Sequence, residues 1–308
     1  MNNIICVVGP TASGKTKLAV ELAKAYNGEV LSCDSMQIYR RMNIGTAKPT
    51  AEEMQGIPHH MIDVVEPDDS FSVSRYVEMA DPILQDILSR GKRCIICGGT
   101  GLYVDSLMAG RTFAPYPETG KRQELERLAA EQGIEAVVAI LERYDPDSAA
   151  RIEHANHKRI IRAAEVFLET GKTITQHNLE TQAVPPKYDP LWLGLDFADR
   201  VELYARIDRR VDLMVADGLL PEIEQLLAEG VPAHATSLQA IGYKEPMAAL
   251  RGEMTMDEAI GKIKIESRRY AKRQLTWFRR NPKIHWICNR EPVDFSDVWR
   301  KTTDILDN

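Results

Sequence analysis

GPTASGKT, at residues 9–16, directly follows a run of apolar residues at 4–8. The spacing G-x-x-x-x-G-K-[ST] places glycines where backbone N–H groups can turn toward a bound anion, and it places the Lys15 ammonium within reach of phosphate oxygens. The Thr16 hydroxyl stands where it can ligate Mg²⁺. Apolar residues then recur at helical spacing over 17–26. The order strand, glycine-rich loop, helix predicts a parallel α/β sheet that binds a phosphorylated ligand, and the motif leaves the identity of that ligand open.

The bulk properties of the chain limit its class. Its 308 residues exceed the usual size of one domain, so we expect an α/β core with an insertion or a second domain. A net charge of −6 argues against a uniformly basic coat for nucleic acid, but it is compatible with a local basic patch. The five cysteines, an odd number set mostly in apolar context, indicate buried thiols in a reducing compartment. Because we find neither a signal-peptide pattern nor an apolar segment of transmembrane length, we expect a cytoplasmic protein that does not bind membranes.

Strand-like and helix-like segments alternate along most of the chain. The apolar runs lie at 29–32, 93–97 and 190–196, and the helical patterns lie at 70–90, 200–220 and 256–280. Between Pro115 and the linker-like VPPK at 184–187, the sequence changes to charged, helix-patterned stretches. We therefore predict an α/β core formed by residues 1–114 and 189–308, with a helical insertion at 115–188.

The ends of two predicted strands bear on catalysis. CIIC at 94–97 ends in glycines, GGTG, where a nucleoside triphosphatase needs an acid to hold Mg²⁺, so nucleotide hydrolysis is disfavoured. Asp34 follows the strand at 29–32 and is a candidate acid at the same sheet edge. Its carboxylate suits a general base beside bound phosphate, and Asp-Ser is equally typical of a turn or a helix cap. The position alone leaves both roles open.

Several further motifs accompany the phosphate loop. They are DSMQIYRRMNIGTAKP at 34–49, GGTGLY at 98–103, RIDRRVDLM at 206–214, QAIGYKE at 239–245 and KRQLTWFR at 272–279. Together they resemble the bacterial tRNA dimethylallyltransferases over nearly the whole chain. The resemblance implies a parallel-sheet core like that of P-loop NTPases, with helices on both faces and an all-helical insertion. It also implies transfer of a dimethylallyl group from dimethylallyl diphosphate to N6 of the adenosine immediately 3′ of the anticodon. The phosphate loop would then hold diphosphate, and no strand-end acid would be needed.

The resemblance also implies roles for individual residues. The diphosphate-binding positions are Gly9, Thr11, Ala12, Ser13, Gly14, Lys15, Thr16 and Arg206. Lys15 and Arg206 would stabilise the negative charge on the leaving group, and Thr16 would hold Mg²⁺, the expected cofactor. Asp34 would accept a proton or a hydrogen bond from the attacking amine. From the residues alone, the arginines around 206–210 are equally typical of a solvated helix face.

Residues 262–283 form a basic stretch with interleaved aromatic residues inside an acidic chain. This pattern fits binding of RNA phosphates and stacking of an unpaired base, but it is also typical of a helix with a core aromatic face and solvated lysines. The resemblance implies contact with the tRNA anticodon stem-loop. The implied positions are Asp34, Ser35, Met36, Gln37, Thr100, Gln123, Lys158, Arg159, Arg162, Gln239, Gly242, Tyr243, Lys244, Lys272, Arg273 and Arg279.

Two other functions use the same motifs. A small-molecule kinase would bind ATP in the phosphate loop, with Asp34 activating a hydroxyl. A noncatalytic RNA-binding protein would use the loop as a nucleotide switch. Cys94 with Cys97, three apart on a strand, and the adjacent His59 and His60 lack the spacing of a metal site, so we expect no structural metal. The resemblance implies a monomer without an obligate protein partner.

Overall fold

The computed structural model describes residues 3–111, 119–182 and 185–307. The strands are β1 (Ile4–Val8), β2 (Gly28–Ser32), β3 (His59–His60), β4 (Arg93–Gly98), β5 (Leu191–Phe197) and β6 (Ile284–Asn289). The helices are α1 (Lys15–Ala25), α2 (Ala51–Met54), α3 (Val73–Ser89), α4 (Gly101–Ala109), α5 (Lys121–Gln132), α6 (Ile134–Tyr144), α7 (Pro146–Arg151), α8 (His157–Thr170), α9 (Ile174–Gln182), α10 (Arg200–Ala216), α11 (Leu219–Ala228), α12 (Lys244–Leu250), α13 (Met256–Phe278) and α14 (Phe295–Asp307).

The six strands form one sheet in the order β3-β2-β4-β1-β5-β6, and every neighbouring pair is parallel. In this order β1 lies between β4 and β5. The segments that follow β1, β2 and β4 therefore emerge at the same carboxyl edge of the sheet. The phosphate loop, the segment beginning at Cys33 and the glycines at 98–99 meet there.

Helices cover both faces of the sheet, because alternate residues of each buried strand point to opposite faces. On one face Ile5 and Val7 of β1 pack in a cluster with Leu18 and Leu22 of α1, and α14 contributes to the same cluster. On the other face α3 contacts β2 and β4. Tyr76 of α3 donates a hydrogen bond to the Ser32 carbonyl oxygen of β2 at 3.0 Å. The predicted α/β fold with a parallel sheet and helices on both faces is confirmed.

Residues 111–187 form a second compact unit, separate in its internal packing from residues 1–110 and 188–308. Its described part consists of α5 to α9. Apolar side chains from α5, α6, α7 and α8 form its own core; the fully or nearly fully buried members are Leu125, Val137, Val138, Leu141, Ile160, Ala163 and Ala164. The predicted start of the insertion, residue 115, lies outside the described residues.

Some element boundaries differ from the sequence prediction. The helix predicted over 200–220 is two helices, α10 and α11, because the chain turns at Gly218, whose φ of +102° disfavours a residue with a side chain. The helix-patterned sequence of the insertion likewise breaks between α5 and α6 at Gly133, which has a φ of +85°. β3, only two residues long, and β6 were not predicted. None of the described helices combines the length and the apolar composition that a membrane span requires.

Candidate active site

A cavity of about 360 Å³ lies at the carboxyl edge of the sheet, within the first unit. Its polar wall is formed by the phosphate loop, by the segment after β2 and by side chains of α10 and α13. Its apolar wall consists of Ile207, Val211, Met214, Ile241 and Ile263. The cavity therefore offers one end suited to an anion and one side suited to a small apolar group.

Two glycines shape the phosphate loop. Gly9 has a φ of +139°, and a Cβ at this position would lie 2.3 Å from the Leu195 carbonyl oxygen, so only glycine allows the loop to leave β1 so close to β5. Gly14 has a φ of +92° and precedes the first turn of α1. The N-terminal end of α1, with its unpaired backbone N–H groups and positive dipole, therefore faces the loop, as an anion site requires.

Lys15 is half-buried at the start of α1. Its Nζ donates a hydrogen bond to the Pro10 carbonyl oxygen at 2.6 Å, and no described carboxylate lies within 4 Å. The loss of water around the ammonium lowers the pKa of Lys15 to about 8. A cation in this state is stabilised by an anion brought into the cavity.

Two arginines of α10 contact the phosphate loop in different ways. Arg206 donates from Nε to the Ala12 carbonyl oxygen at 3.0 Å and forms an ion pair with Glu291. Arg210, one turn further, has its guanidinium nitrogens 3.4 Å from the Thr11 hydroxyl and 3.4 Å from the Ala47 carbonyl oxygen. No described carboxylate lies within 4 Å of Arg210, and the loss of water around it lowers its pKa. Arg210 is the more available of the two cations. It was not among the predicted site residues, although its i, i+4 spacing from Arg206 placed both on one helix face.

A second, wider cavity of about 960 Å³ is lined by residues 12–17 of the phosphate loop and the start of α1, by residues of the 43–53 segment and by side chains of α10. It shares Lys15, Thr16, Ala47, Arg210 and Met214 with the first cavity. Arg206 lines only this second cavity. Lys15 and Thr16 are thus accessible from both cavities.

Asp34 forms the turn that the sequence offered as one of its two roles, and its side chain also lies on the cavity wall. Its Oδ1 accepts the backbone N–H groups of Met36 at 2.8 Å and Gln37 at 3.4 Å, which closes a turn after β2. The side chain also lines the first cavity, together with Lys15 and Thr16. Thr100 supports this turn because its Oγ1 accepts the Ser35 N–H at 3.1 Å. The turn fixes the carboxylate on the cavity wall.

Gln274 of α13 joins the two glycine-containing loops. Its Oε1 accepts the Thr11 N–H at 2.8 Å, and its Nε2 donates to the Gly99 carbonyl oxygen at 3.0 Å. The side chain is buried, and a Cβ on Gly99 would lie 2.1 Å from Nε2. The Thr11 amide is therefore already engaged in this structure. In the sequence, Gln274 could have been recognised as a polar residue on the apolar face of the helix, between Ala271 and Phe278.

The aromatic residues of the basic stretch at 262–283 lie in different environments. Tyr270 lines the first cavity and Arg273 lies over its ring at 5.6 Å. Phe278 belongs to the core, and Trp277 donates from Nε1 to Asp105 at 2.8 Å. Phe278 and Trp277 thus pack as the core interpretation predicts, whereas Tyr270 faces the cavity, and the interpretation as an RNA-binding stretch stays a prediction.

The residues that the resemblance assigned to tRNA occupy different environments. Those that line the first cavity are Asp34, Ser35, Met36, Gln37, Gln239, Gly242 and Arg273. Lys244 and Lys272 are exposed outside it, whereas Arg279 is paired with Asp196. Tyr243 is fully buried, and its hydroxyl donates to Glu222 at 2.7 Å. In the second unit Gln123, Lys158 and Arg159 are exposed near the N-terminal ends of α5 and α8, and Arg162 donates to Glu165.

The residues around the phosphate loop suit a magnesium ion that is shared with a phosphorylated ligand. Thr16 and Asp34 supply oxygen donors on one cavity wall, and the buried Ser13 Oγ has no hydrogen-bond partner among the described residues. The described residues contain no cluster of three or more His, Cys, Asp or Glu side chains that could hold a metal alone. Mg²⁺ commonly takes one or two protein ligands and completes its shell with phosphate oxygens and water, so the site fits this ion.

The chain matches known proteins over almost its full length. The family model described as IPP transferase matches residues 37–281, and the one described as isopentenyl transferase matches residues 2–66. A tRNA dimethylallyltransferase of Bacillus cytotoxicus is 49% identical over 98% of this chain and 93% of its own length. One from Acetivibrio thermocellus is 46% identical over 96% of this chain and 94% of its own.

Solved structures agree with these relatives. A tRNA isopentenylpyrophosphate transferase from Bacillus halodurans superposes with a TM-score of 0.74 at 42% identity, covering 99% of this chain and 96% of that one. A eukaryotic dimethylallyltransferase acting on tRNA gives a TM-score of 0.80 at 29% identity, covering 98% and 76%. The chain therefore belongs to the tRNA dimethylallyltransferases of the IPP transferase family.

Proposed function

We propose that this enzyme transfers the dimethylallyl group of dimethylallyl diphosphate to N6 of the adenosine immediately 3′ of the anticodon in tRNA. The observation that carries the proposal is the first cavity itself. Lys15, Thr16, Arg210 and Asp34 all line this cavity, and apolar side chains of α10 and α13 complete its lining. A diphosphate bearing a five-carbon apolar group needs this combination of surfaces.

The reaction exchanges one bond for another. The adenine N6 amine attacks C1 of the donor, the bond between C1 and the bridging oxygen breaks, and the electron pair leaves with diphosphate. The amine loses one proton, for which Asp34 is the acceptor on the cavity wall. The negative charge that develops on diphosphate is stabilised by the Lys15 ammonium, the Arg210 guanidinium and the amides at the start of α1. Mg²⁺ held through Thr16 would neutralise part of the same charge.

Arg206 supports this site from the side of the second cavity. Its hydrogen bond to Ala12 and its ion pair with Glu291 fix the loop backbone, and its remaining donor capacity faces the wider cavity. We propose that it completes the diphosphate site together with Gly9, Thr11, Ala12, Ser13 and Gly14. In this arrangement the donor enters from the wider cavity, and the adenine enters from the side of Asp34.

The kinase alternative has little support at the strand ends. β4 ends at Gly98, and the acid at the end of β5, Asp196, is buried and paired with Arg200 and Arg279. Asp196 is therefore occupied by cations of the protein. The family relationship points to prenyl transfer, and none of the comparisons favours phosphoryl transfer to a small molecule.

We propose that tRNA contacts both units. In the first unit the contacts are the cavity residues from the turn at 34–37 and from 239–242, together with Thr100, which holds that turn, and the exposed Lys272 and Arg279. In the second unit they are Gln123, Lys158, Arg159 and Arg162 on α5 and α8. Removal of the target base from its stack favours a loop adenosine over a paired one. We further propose that the enzyme acts in the cytoplasm as a monomer.

A transfer assay tests this function. The wild-type protein is incubated with Mg²⁺, labelled dimethylallyl diphosphate and unmodified tRNA that carries adenosine 3′ of the anticodon, beside the same tRNA with guanosine there. We expect label on the adenosine substrate alone. Label on neither tRNA, or equal label on both, would contradict the proposed reaction.

A further inference from the structure

Residues 43–48, which we call the dividing segment, separate the two cavities. Gly45, Thr46 and Ala47 line the first cavity, whereas Ile44, Ala47 and Lys48 line the second. The segment lies between regular elements, and Ala47 adopts a φ of +48°. Two hydrogen bonds within the segment, from the Ala47 N–H to the Ile44 carbonyl oxygen and from the Lys48 N–H to the Asn43 carbonyl oxygen, both 2.9 Å, shape it as a turn, and contacts from elsewhere in the chain hold that turn in place.

Glu222, in the first turn of α11, provides the main contact on the backbone side of this segment. Its Oε2 accepts the N–H groups of Asn43 and Ile44, both at 2.8 Å, and its Oε1 accepts the Gly45 N–H at 3.2 Å. Oε1 also accepts the Tyr243 hydroxyl at 2.7 Å. One carboxylate thus binds three consecutive amides and a buried phenol. Hydrogen bonds to a charged acceptor are about twice as strong as those between neutral groups.

Tyr243 fixes the distance between the segment and the helices behind it. Its ring is fully buried, and a Cβ on Gly45 would lie 2.5 Å from Cε2 of that ring. Burial and the neighbouring Glu222 carboxylate raise the pKa of the Tyr243 hydroxyl, so it stays protonated and donates. The dividing segment therefore rests on a rigid surface and is hydrogen-bonded to it.

The other side of the segment meets the site. The Ala47 carbonyl oxygen accepts Gln37 Nε2 at 3.1 Å and lies 3.4 Å from a guanidinium nitrogen of Arg210. Ala47 follows the anchored Gly45 by two residues. A displacement of the anchored amides would therefore move the carbonyl that orients Arg210.

We propose that Glu222 is a positioning residue for the transfer reaction, acting through the dividing segment on the Arg210 guanidinium. By holding the amides of 43–45, it sets the Ala47 carbonyl and keeps Arg210 at the donor diphosphate. This inference rests on the proposed function. Misplacement of a reacting group by about 1 Å can lower a rate by about 10²-fold, so the coupling is large enough to measure.

A double-mutant cycle between Glu222 and Arg210 tests this inference. Single-turnover transfer is measured for wild type, Glu222→Ala, Arg210→Ala and the double variant. We expect Glu222→Ala to slow transfer by about 10- to 100-fold in the wild-type background. We expect it to cost less than about twofold when Arg210 is already absent, because coupled residues are not additive. The affinity for tRNA should change by less than about twofold.

Two other variants distinguish positioning from a loss of folding. Glu222→Gln keeps one carbonyl acceptor for the amides and should restore part of the rate. Glu224→Ala removes an exposed carboxylate from the same helix and should transfer at the wild-type rate. If Glu222→Ala does not fold, Tyr243→Phe, which removes one donor to the carboxylate, takes its place in the cycle with Arg210→Ala.

The outcomes are separable. A wild-type protein that transfers no label contradicts the proposed function. A wild type that transfers normally, with Glu222→Ala costing the same factor in both Arg210 backgrounds, overturns the positioning role and leaves the function intact. The same conclusion follows if Glu222→Ala transfers at the wild-type rate.

Discussion

At the amino edge of the sheet the buried carboxylate of Glu29 is bound by three side chains, whereas at the carboxyl edge Lys15 and Arg210 have no described carboxylate within 4 Å. The Glu29 carboxylate lies 2.7 Å from Lys92 Nζ and 2.8 Å from His60 Nε2. Arg90 also donates to it from both terminal guanidinium nitrogens. Both sites belong to the same sheet and the same unit, so the comparison concerns ion pairing at the two ends of one sheet.

The difference shows which charges the fold has already neutralised. Arg90 and the other partners lower the pKa of Glu29, so this carboxylate is stabilised in the native state. The loss of water at Lys15 and Arg210 instead lowers their pKa values, as expected for cations that have no ion-pair partner among the described residues. The Glu29 cluster, which we call the paired edge, is neutralised by side chains of the protein. Lys15, Arg210 and Asp34 of the first cavity, which we call the unpaired edge, have no ion-pair partner within 4 Å among the described residues and remain free for the ligand that we propose.

The largest expected effect concerns the carboxylate of the unpaired edge. Asp34→Asn keeps an oxygen that can accept the Met36 and Gln37 amides, so the turn is preserved while the proton acceptor is lost. We expect single-turnover transfer to fall by about 10²- to 10⁴-fold, with donor affinity changed by less than about twofold. Rapid-quench assays and donor titrations measure the two quantities. Equal transfer rates in variant and wild type would remove Asp34 from the chemistry.

The second effect concerns the unpaired cation of the phosphate loop. Lys15→Met keeps most of the side-chain length but removes the charge, and we expect transfer to fall by about 10²- to 10³-fold because one donor to the leaving group is lost. Donor affinity should fall as well. Glu29→Gln, the matched change at the other edge, should transfer at the wild-type rate once folded. If both variants lost activity to the same extent, the two edges would not differ in the way described.

The third effect concerns the stability supplied by the paired edge. Glu29→Gln should lower the free energy of unfolding by about 1–3 kcal/mol at pH 7, because a charged acceptor of several hydrogen bonds becomes neutral. The native pKa of Glu29 lies below its unfolded value of about 4.3, so its contribution is complete above that pH.

As the pH falls below about 4.3, the advantage of wild type over Glu29→Gln should shrink by about 1.4 kcal/mol per pH unit. Urea unfolding of both proteins between pH 7 and pH 3.5 measures this difference. A difference that stayed constant over the range would show that the charge of Glu29 does not stabilise the fold.

The smallest effect extends the comparison to the second unit. Lys158 and Arg159 are exposed and have no described carboxylate within 4 Å, whereas Lys172 in the same unit is paired with Glu180 at 3.0 Å. We expect Lys158→Gln with Arg159→Gln to reduce the slope of log affinity for tRNA against log salt by about 2, since each phosphate contact contributes about 1. Lys172→Gln is the control and should leave the slope unchanged. An equal slope in all three proteins would argue against RNA contact at 158–159.

Much of this arrangement followed from local sequence. The phosphate loop, the strands that flank it and the place of Asp34 were predictable because strand, glycine loop and helix are contiguous in the chain. The fold followed from the same pattern. The pairing of Glu29 was not predictable, because its partners Arg90 and Lys92 are more than 60 positions away and are joined to it only by the fold.

The missed site residues share this long-range character. Gln274 lies 263 positions from Thr11, and Arg210 lies 199 positions from it. Glu222 lies 177 to 179 positions from the amides that it binds. No periodicity or spacing in the sequence reports such contacts, so only the assembled structure distinguishes Arg210 from an arginine on a solvated helix face. The short strand β3 was missed because two residues are too few to form a pattern.

The most direct test is a crystal structure of the full chain with Mg²⁺ and a nonreactive thiolo analogue of dimethylallyl diphosphate. We expect the diphosphate oxygens within hydrogen-bond distance of Lys15 Nζ, of the Arg210 guanidinium and of the amides at the start of α1. The dimethylallyl group should lie along Ile207, Val211 and Ile263, with C1 facing the side of Asp34. A diphosphate bound elsewhere, with Lys15 and Arg210 unoccupied at saturating analogue, would contradict the assignment of the unpaired edge to the prenyl donor.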